Sequence, residues 1–112
     1  MYSYELSNIQ INGNNHHFDH NIREVIKYKD TYIVLLEIPV SSDEINNIFC
    51  LDENANIKWQ SEDLSKKYPK LINLAYLRMG IIDDIVYATD FFGRNYRIDP
   101  SSGKILGCKI VK

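Results

Sequence analysis

Apolar and polar residues alternate from the start of the chain, with Tyr2, Tyr4 and Leu6 followed by Ile9 and Ile11. That period of two predicts one strand, or two short ones with a bulge near Ser7-Asn8, before Asn12-Gly13-Asn14-Asn15 turns the chain. Ile22, Val25, Ile26 and Tyr28 fit a helical spacing as well. Their β-branched content and the Lys29-Asp30 turn into Thr31–Ile38 favour a hairpin instead. The unbroken apolar run from Tyr32 to Leu36 predicts a strand covered on both faces, and Pro39 ends it.

After a polar connection over residues 40–46, the chain reads as a strand at Asn47–Asp52, a turn at Glu53-Asn54-Ala55-Asn56, and a strand at Ile57–Gln60. Ser61 is placed to cap one helical turn over residues 61–67, which Tyr68-Pro69 stops. A second series follows: Leu71–Met79, a turn over Gly80–Asp84, Ile85–Asp90, a reversal at Phe91-Phe92-Gly93, Asn95–Asp99, the turn Pro100-Ser101-Ser102-Gly103, and Lys104–Val111.

The two series are copies of one plan. In each, an apolar strand ends in Asp, reverses over polar residues and resumes, and the anchors Asp52 and Asp99 lie about 47 positions apart, a period typical of repeated four-stranded sheet units. The expected architecture is therefore all-β: an antiparallel meander of two blade-like four-stranded units (roughly residues 22–60 and 71–112) plus an N-terminal strand. These pack as two sheets or as one strongly curved, partly closed sheet, in a single domain over residues 1–112.

The segment Tyr87–Leu106 resembles β-propeller repeats of the quinoprotein type, in which a strand ends in Asp before a Gly-containing turn. Ile48–Trp59 follows the pattern in part, with Asn54-Ala55-Asn56 standing where a turn glycine is expected. The chain also resembles small bacterial proteins built from such meanders, among them immunity proteins of polymorphic or contact-dependent toxin systems. The resemblance implies a binding module and carries over no functional residue. The matching residues make turns: Gly103 permits a positive φ, Pro100 presets the entry, and Asp52 and Asp99 accept backbone N–H groups.

Composition narrows the picture. The chain has 112 residues, 45% apolar and 25% charged, with eight Tyr and four Phe, enough for one core without staples. A net charge of −2 supplies no long-range field to collect nucleic acid or an anionic membrane, so neither is an expected partner. Cys50 and Cys108 lie inside apolar strands, as reduced thiols in a cytoplasmic protein do, with a disulfide between them as the alternative. Residues 1–6 carry no secretory signal pattern, and no apolar stretch is long enough to span a bilayer.

Candidate chemistry is sparse. His16-His17-Phe18-Asp19-His20 is the densest group of metal-capable side chains, but its spacing reads as a solvated loop tip, and no metal or cofactor is expected. Acidic pairs recur in connections, and Asp43, Glu44, Glu62, Asp63, Asp83 and Asp84 are the candidate partner-binding residues, facing a basic surface. No catalytic constellation is present, so the expected function is a non-enzymatic immunity module that occludes a toxin's active site. The alternatives are a small-ligand or carbohydrate module using Phe92, Arg94 and Tyr96, and a hydrolase built on the His16–His20 segment. Oligomeric state is left open by the sequence; the terminal strands at Tyr2–Leu6 and Lys109–Val111 are the candidate open edges.

Overall fold

The computed structural model describes residues 1–110, in which eleven strands form three antiparallel sheets. The first sheet contains β1 (Tyr2–Glu5), β2 (Asn8–Ile11) and β3 (Asn14–His17). The second contains β4 (Ile22–Tyr28), β5 (Thr31–Leu36), β6 (Ile48–Leu51) and β7 (Ile57–Gln60), in that order. A single helical turn, α1 (Leu64–Lys67), leads to the third sheet: β8 (Tyr76–Ile82), β9 (Ile85–Asp90), β10 (Arg94–Ile98) and β11 (Ile105–Ile110). Both repeat units are thus four-stranded meanders, but the molecule has three sheets rather than two or one.

The additional sheet comes from the N-terminal segment. Asn14–His17 pairs with Asn8–Ile11, with Asn8 opposite His17 and Ile11 opposite Asn14. Asn12 and Gly13, at φ 49° and 85°, make a tight two-residue hairpin of the kind that matches strand twist. The segment is polar because β3 is an edge strand, so pairing and not alternation makes it extended. The expected solvated loop at His16-His17 is in fact strand. Two smaller corrections concern boundaries: β8 begins at Tyr76 and runs through Gly80, the turn being confined to Asp83-Asp84, and Asp63 rather than Ser61 caps α1 through its side chain.

Strand β5 organises the interior. Ile33 and Leu35 face the third sheet, joining Ile48, Cys50, Trp59, Val86, Ala88, Tyr96 and Ile98 in one core. Tyr32, Val34 and Leu36 face the first sheet, joining Ile9, Ile11, Phe18 and Leu51 in a second core. Each fully buried side chain of this size contributes about 1.5–3 kcal/mol, so a strand buried on both faces is the strongest single holding point of the fold. Cys50 and Cys108 are free thiols, and burial pushes the Cys50 thiol above its ordinary range, which keeps it unreactive.

Because every sheet is a simple meander, its connections alternate between two ends. Residues 12–13, 29–30, 52–56, 83–84 and 99–104 make short turns at one end. Residues 6–7, 18–21, 37–47, 61–75 and 91–93 make the connections at the other, hereafter the loop end. Hydrogen bonds tie the loop end across sheets: Ile22 N to Leu6 O at 2.7 Å joins the first sheet to the second, and Asn47 Nδ2 to Tyr76 O at 2.9 Å joins the second to the third. Of the two predicted open edges, β1 is one edge of the first sheet and β11 one edge of the third; Val111 lies outside the described residues.

Candidate functional site

A concavity of about 570 Å³ opens at the loop end between the β3–β4 corner and the β5–β6 connection. Its apolar floor is Leu36, Ile38, Phe49 and Ile57. The walls are His16, His17, Asp19 and His20 on one side, and Asp43, Glu44, Asn46, Gln60 and Asp63 on the other.

Each wall is held by local chemistry. Phe18 is buried and packs tilted against Phe49, with ring centroids 5.2 Å apart, which anchors the corner carrying the histidines. His16 lies over Phe18 at 4.5 Å, and burial lowers its pKa, so it is neutral at pH 7. His17 Nδ1 is 3.0 Å from Asn8 Oδ1. Across the cleft, His20 Nε2 meets Glu44 Oε2 at 2.5 Å, joining residues 24 positions apart and pinning the β5–β6 connection to the β3–β4 corner.

The far wall is fixed by asparagines. Asn46 Oδ1 accepts the Leu64 N–H at 3.0 Å, Asn46 Nδ2 donates to Asp63 Oδ1 at 3.3 Å, and Gln60 Nε2 donates to the Asn46 carbonyl at 2.8 Å. Asn47 is 2% exposed; its Nδ2 donates to Leu36 O and Tyr76 O, and its Oδ1 accepts the Tyr76 N–H. One buried amide therefore locks the second and third sheets together beneath the rim, the arrangement required of a polar group without water.

The six acidic candidates separate into three groups. Asp43, Glu44 and Asp63 line the cleft. Glu62 accepts the Ile105 N–H at 2.8 Å and serves as a strap between β7 and β11. Asp83 and Asp84 form the β8–β9 turn at the opposite end, with φ of 50° and 61°. Asp19, a lining carboxylate that the pairwise reading passed over, completes the acidic rim.

Phe92, Arg94 and Tyr96 are not brought together as a ligand platform. Tyr96 is fully buried, and Arg94 is buried with its Nε donating to Asp90 Oδ2 at 2.9 Å. Only Phe92 is exposed. Burial also raises the pKa of Tyr96 and Tyr76 far above the usual phenol range, as core residues require.

What the cleft can do follows from these parts. Among the described residues no three His, Cys, Asp or Glu side chains gather as a metal-holding group. The His20–Glu44 pair orients a carboxylate over an apolar floor beside three further carboxylates, Asp19, Asp43 and Asp63. That combination has the chemistry to receive a cationic side chain with an aliphatic stem.

Comparison with known proteins adds the fold context. Residues 1–110 match the family model described as "Domain of unknown function (DUF7957)". No curated protein matches the sequence. Among solved structures, the crystal structure of the computationally designed Ika8 protein is similar at 7% identity, with a TM-score of 0.65 over 99% of this chain. The chain spans 36% of that protein's length, and at such low identity the likeness concerns fold alone. Among the described residues no helix is long and apolar enough to cross a membrane.

Proposed function

The chain belongs to the DUF7957 family; from the chemistry of its cleft we propose that it is a non-enzymatic protein-binding module of the immunity type. In this reading it works in the cytoplasm and neutralises a cognate toxin by covering the toxin's active site. The observation that carries it is the convergence of Asp19, Asp43, Glu44 and Asp63, from three separate connections, on the rim of one apolar-floored cleft. A basic loop or nuclease-type cleft on the partner is the complementary surface, since charge complementarity speeds encounter and fixes register.

The scaffold behind the cleft supports the same reading. We infer that the three sheets stand as consecutive propeller-like blades. In each junction a ring from one sheet packs on the turn of the next: His16 and Phe18 near Ala55, and Trp59 against Gly103. Rigid sheets of this kind hold loops in place before binding, so little conformational entropy is lost on association.

The test is capture of the purified product of the adjacent gene by wild-type chain and by Asp43→Asn/Glu44→Gln/Asp63→Asn. The triple variant is expected to weaken binding on the order of 100-fold while Asp83→Asn/Asp84→Asn leaves it unchanged. Equal capture by all three proteins would remove the cleft from the interface.

A further inference from the structure

A second surface at the loop end has a different character from the acidic cleft. Phe91 and Phe92 protrude from the β9–β10 reversal at 77% and 55% exposure, and Ile72 and Leu71 stand beside them at 74% and 45%. Arg94 clamps the two segments together: its Nη2 donates to the Ile72 carbonyl, and its guanidinium lies 5.3 Å from the centre of the Phe92 ring. The tip is therefore a held structure, with four large apolar side chains presented outward.

Cations flank it. Lys66, Lys67 and Lys70 are exposed within the five residues that lead into Leu71, and among the described residues none of them forms an ion pair. The nearby carboxylates are held by the backbone or by Arg94 and leave the three lysines unpaired. Asp63 caps α1, Glu62 accepts the Ile105 N–H, and Asp90 is paired with Arg94. Although the whole chain carries a charge of −2, a surface acts through its local field, which falls off within about 10 Å at ordinary salt.

We propose that this tip docks on an anionic lipid bilayer, with Phe91, Phe92, Leu71 and Ile72 entering the headgroup boundary and Lys66, Lys67 and Lys70 meeting lipid phosphates. The chemistry favours lipid over a second protein. Protein interfaces are depleted in Lys and draw on Arg for its fixed fork, whereas attraction to an anionic surface needs only point charges beside apolar tips.

The experiment is co-sedimentation of the full chain with vesicles of phosphatidylcholine alone and of equimolar phosphatidylcholine and phosphatidylglycerol. Binding is expected on the anionic vesicles and not on the neutral ones. Lys66→Glu/Lys67→Glu/Lys70→Glu should lower the partition about 100-fold, and Phe91→Ser/Phe92→Ser should lower it about tenfold or more. All the substituted side chains are exposed, so both variants keep the fold, and circular dichroism checks this. Absence of binding to anionic vesicles, or binding indifferent to both variants, overturns the proposal. So does loss of capture of the adjacent gene's product by Phe91→Ser/Phe92→Ser without any vesicle binding, which assigns the tip to a protein contact.

Discussion

Trp59 donates its indole N–H to the carbonyl of Pro100 at 2.9 Å across 41 positions of sequence, and its ring fills the space beside Gly103. A Cβ at Gly103 would lie 2.5 Å from Trp59 Cε3, and the glycine holds φ at +77°. Gly103→Ala therefore meets both a clash and a disfavoured backbone, and is expected to cost about 3 kcal/mol in urea unfolding. Ala55 holds the corresponding left-handed position in the β6–β7 turn, at φ 64°, with its methyl buried. There the relief of strain and the lost methyl oppose one another, and Ala55→Gly should stay within about 1 kcal/mol of wild type.

The Asp90–Arg94 pair tests burial in another way. Its side chains are 0% and 9% exposed, and Asp90 Oδ1 also accepts the N–H groups of Phe92 and Arg94. Asp90→Ala leaves a buried guanidinium without its counter-ion and is expected to destabilise by about 3–5 kcal/mol. Asp90→Leu/Arg94→Met should recover part of that loss in thermal unfolding, because it removes both charges.

Asn47 makes three hydrogen bonds to backbone groups of two sheets while buried. Asn47→Ala is expected to lower stability by about 3 kcal/mol. Asn47→Asp should lower it at least as much, since a carboxylate cannot donate to Leu36 O and Tyr76 O. Chemical denaturation of the two variants checks the order.

Acid should weaken the fold in two windows. Burial lowers the pKa of His16 in the folded state, so the unfolded chain binds more protons there, and stability declines as pH falls through about 6.5. Asp52 is held below the usual carboxylate range, first by the Asn56 N–H and then by the Asn54 N–H; the Ser101 hydroxyl and then the Ser101 N–H do the same for Asp99. Their stabilisation is present above about pH 3.9 and is lost as pH falls through the lower folded-state values. Unfolding midpoints measured from pH 8 to 2 should show both declines, with His16→Gln removing the first and Asp52→Asn/Asp99→Asn flattening the second.

The parts legible in the sequence are those dictated by local chemistry. Tyr32–Leu36 announced burial on both faces through an unbroken apolar run, and it is covered on both. Asp52 and Asp99 announced their turns, and of Asn54-Ala55-Asn56, which stand where a turn glycine is expected, Ala55 takes the left-handed φ of 64°. What escaped the reading depends on pairing between distant segments. Asn14–His17 has poor strand propensity and becomes a strand only because Asn8–Ile11 lies beside it. Gly80 read as a turn residue, yet it lies inside β8 opposite Tyr87, and the reversal falls on Asp83-Asp84.

The cleft was legible only in pieces. His16–His20 and Asp43-Glu44 are each visible in sequence as local clusters, but their meeting through His20 and Glu44 is a product of sheet packing. The acidic pairs looked alike in sequence and separate in space, because Asp83-Asp84 occupies the turn end while Asp43, Glu44 and Asp63 share the loop end. Tyr96 looked available beside Arg94 and Phe92, whereas strand alternation sends it into the core.

The most direct measurement is titration of the purified chain into the purified product of the adjacent gene, the proposed toxin, with its turnover followed as a function of molar ratio. Complete inhibition at one equivalent, relieved by Asp43→Asn/Glu44→Gln/Asp63→Asn and by added salt, is the predicted result. Undiminished turnover at excess wild-type chain, or inhibition that the triple variant retains in full, would contradict it.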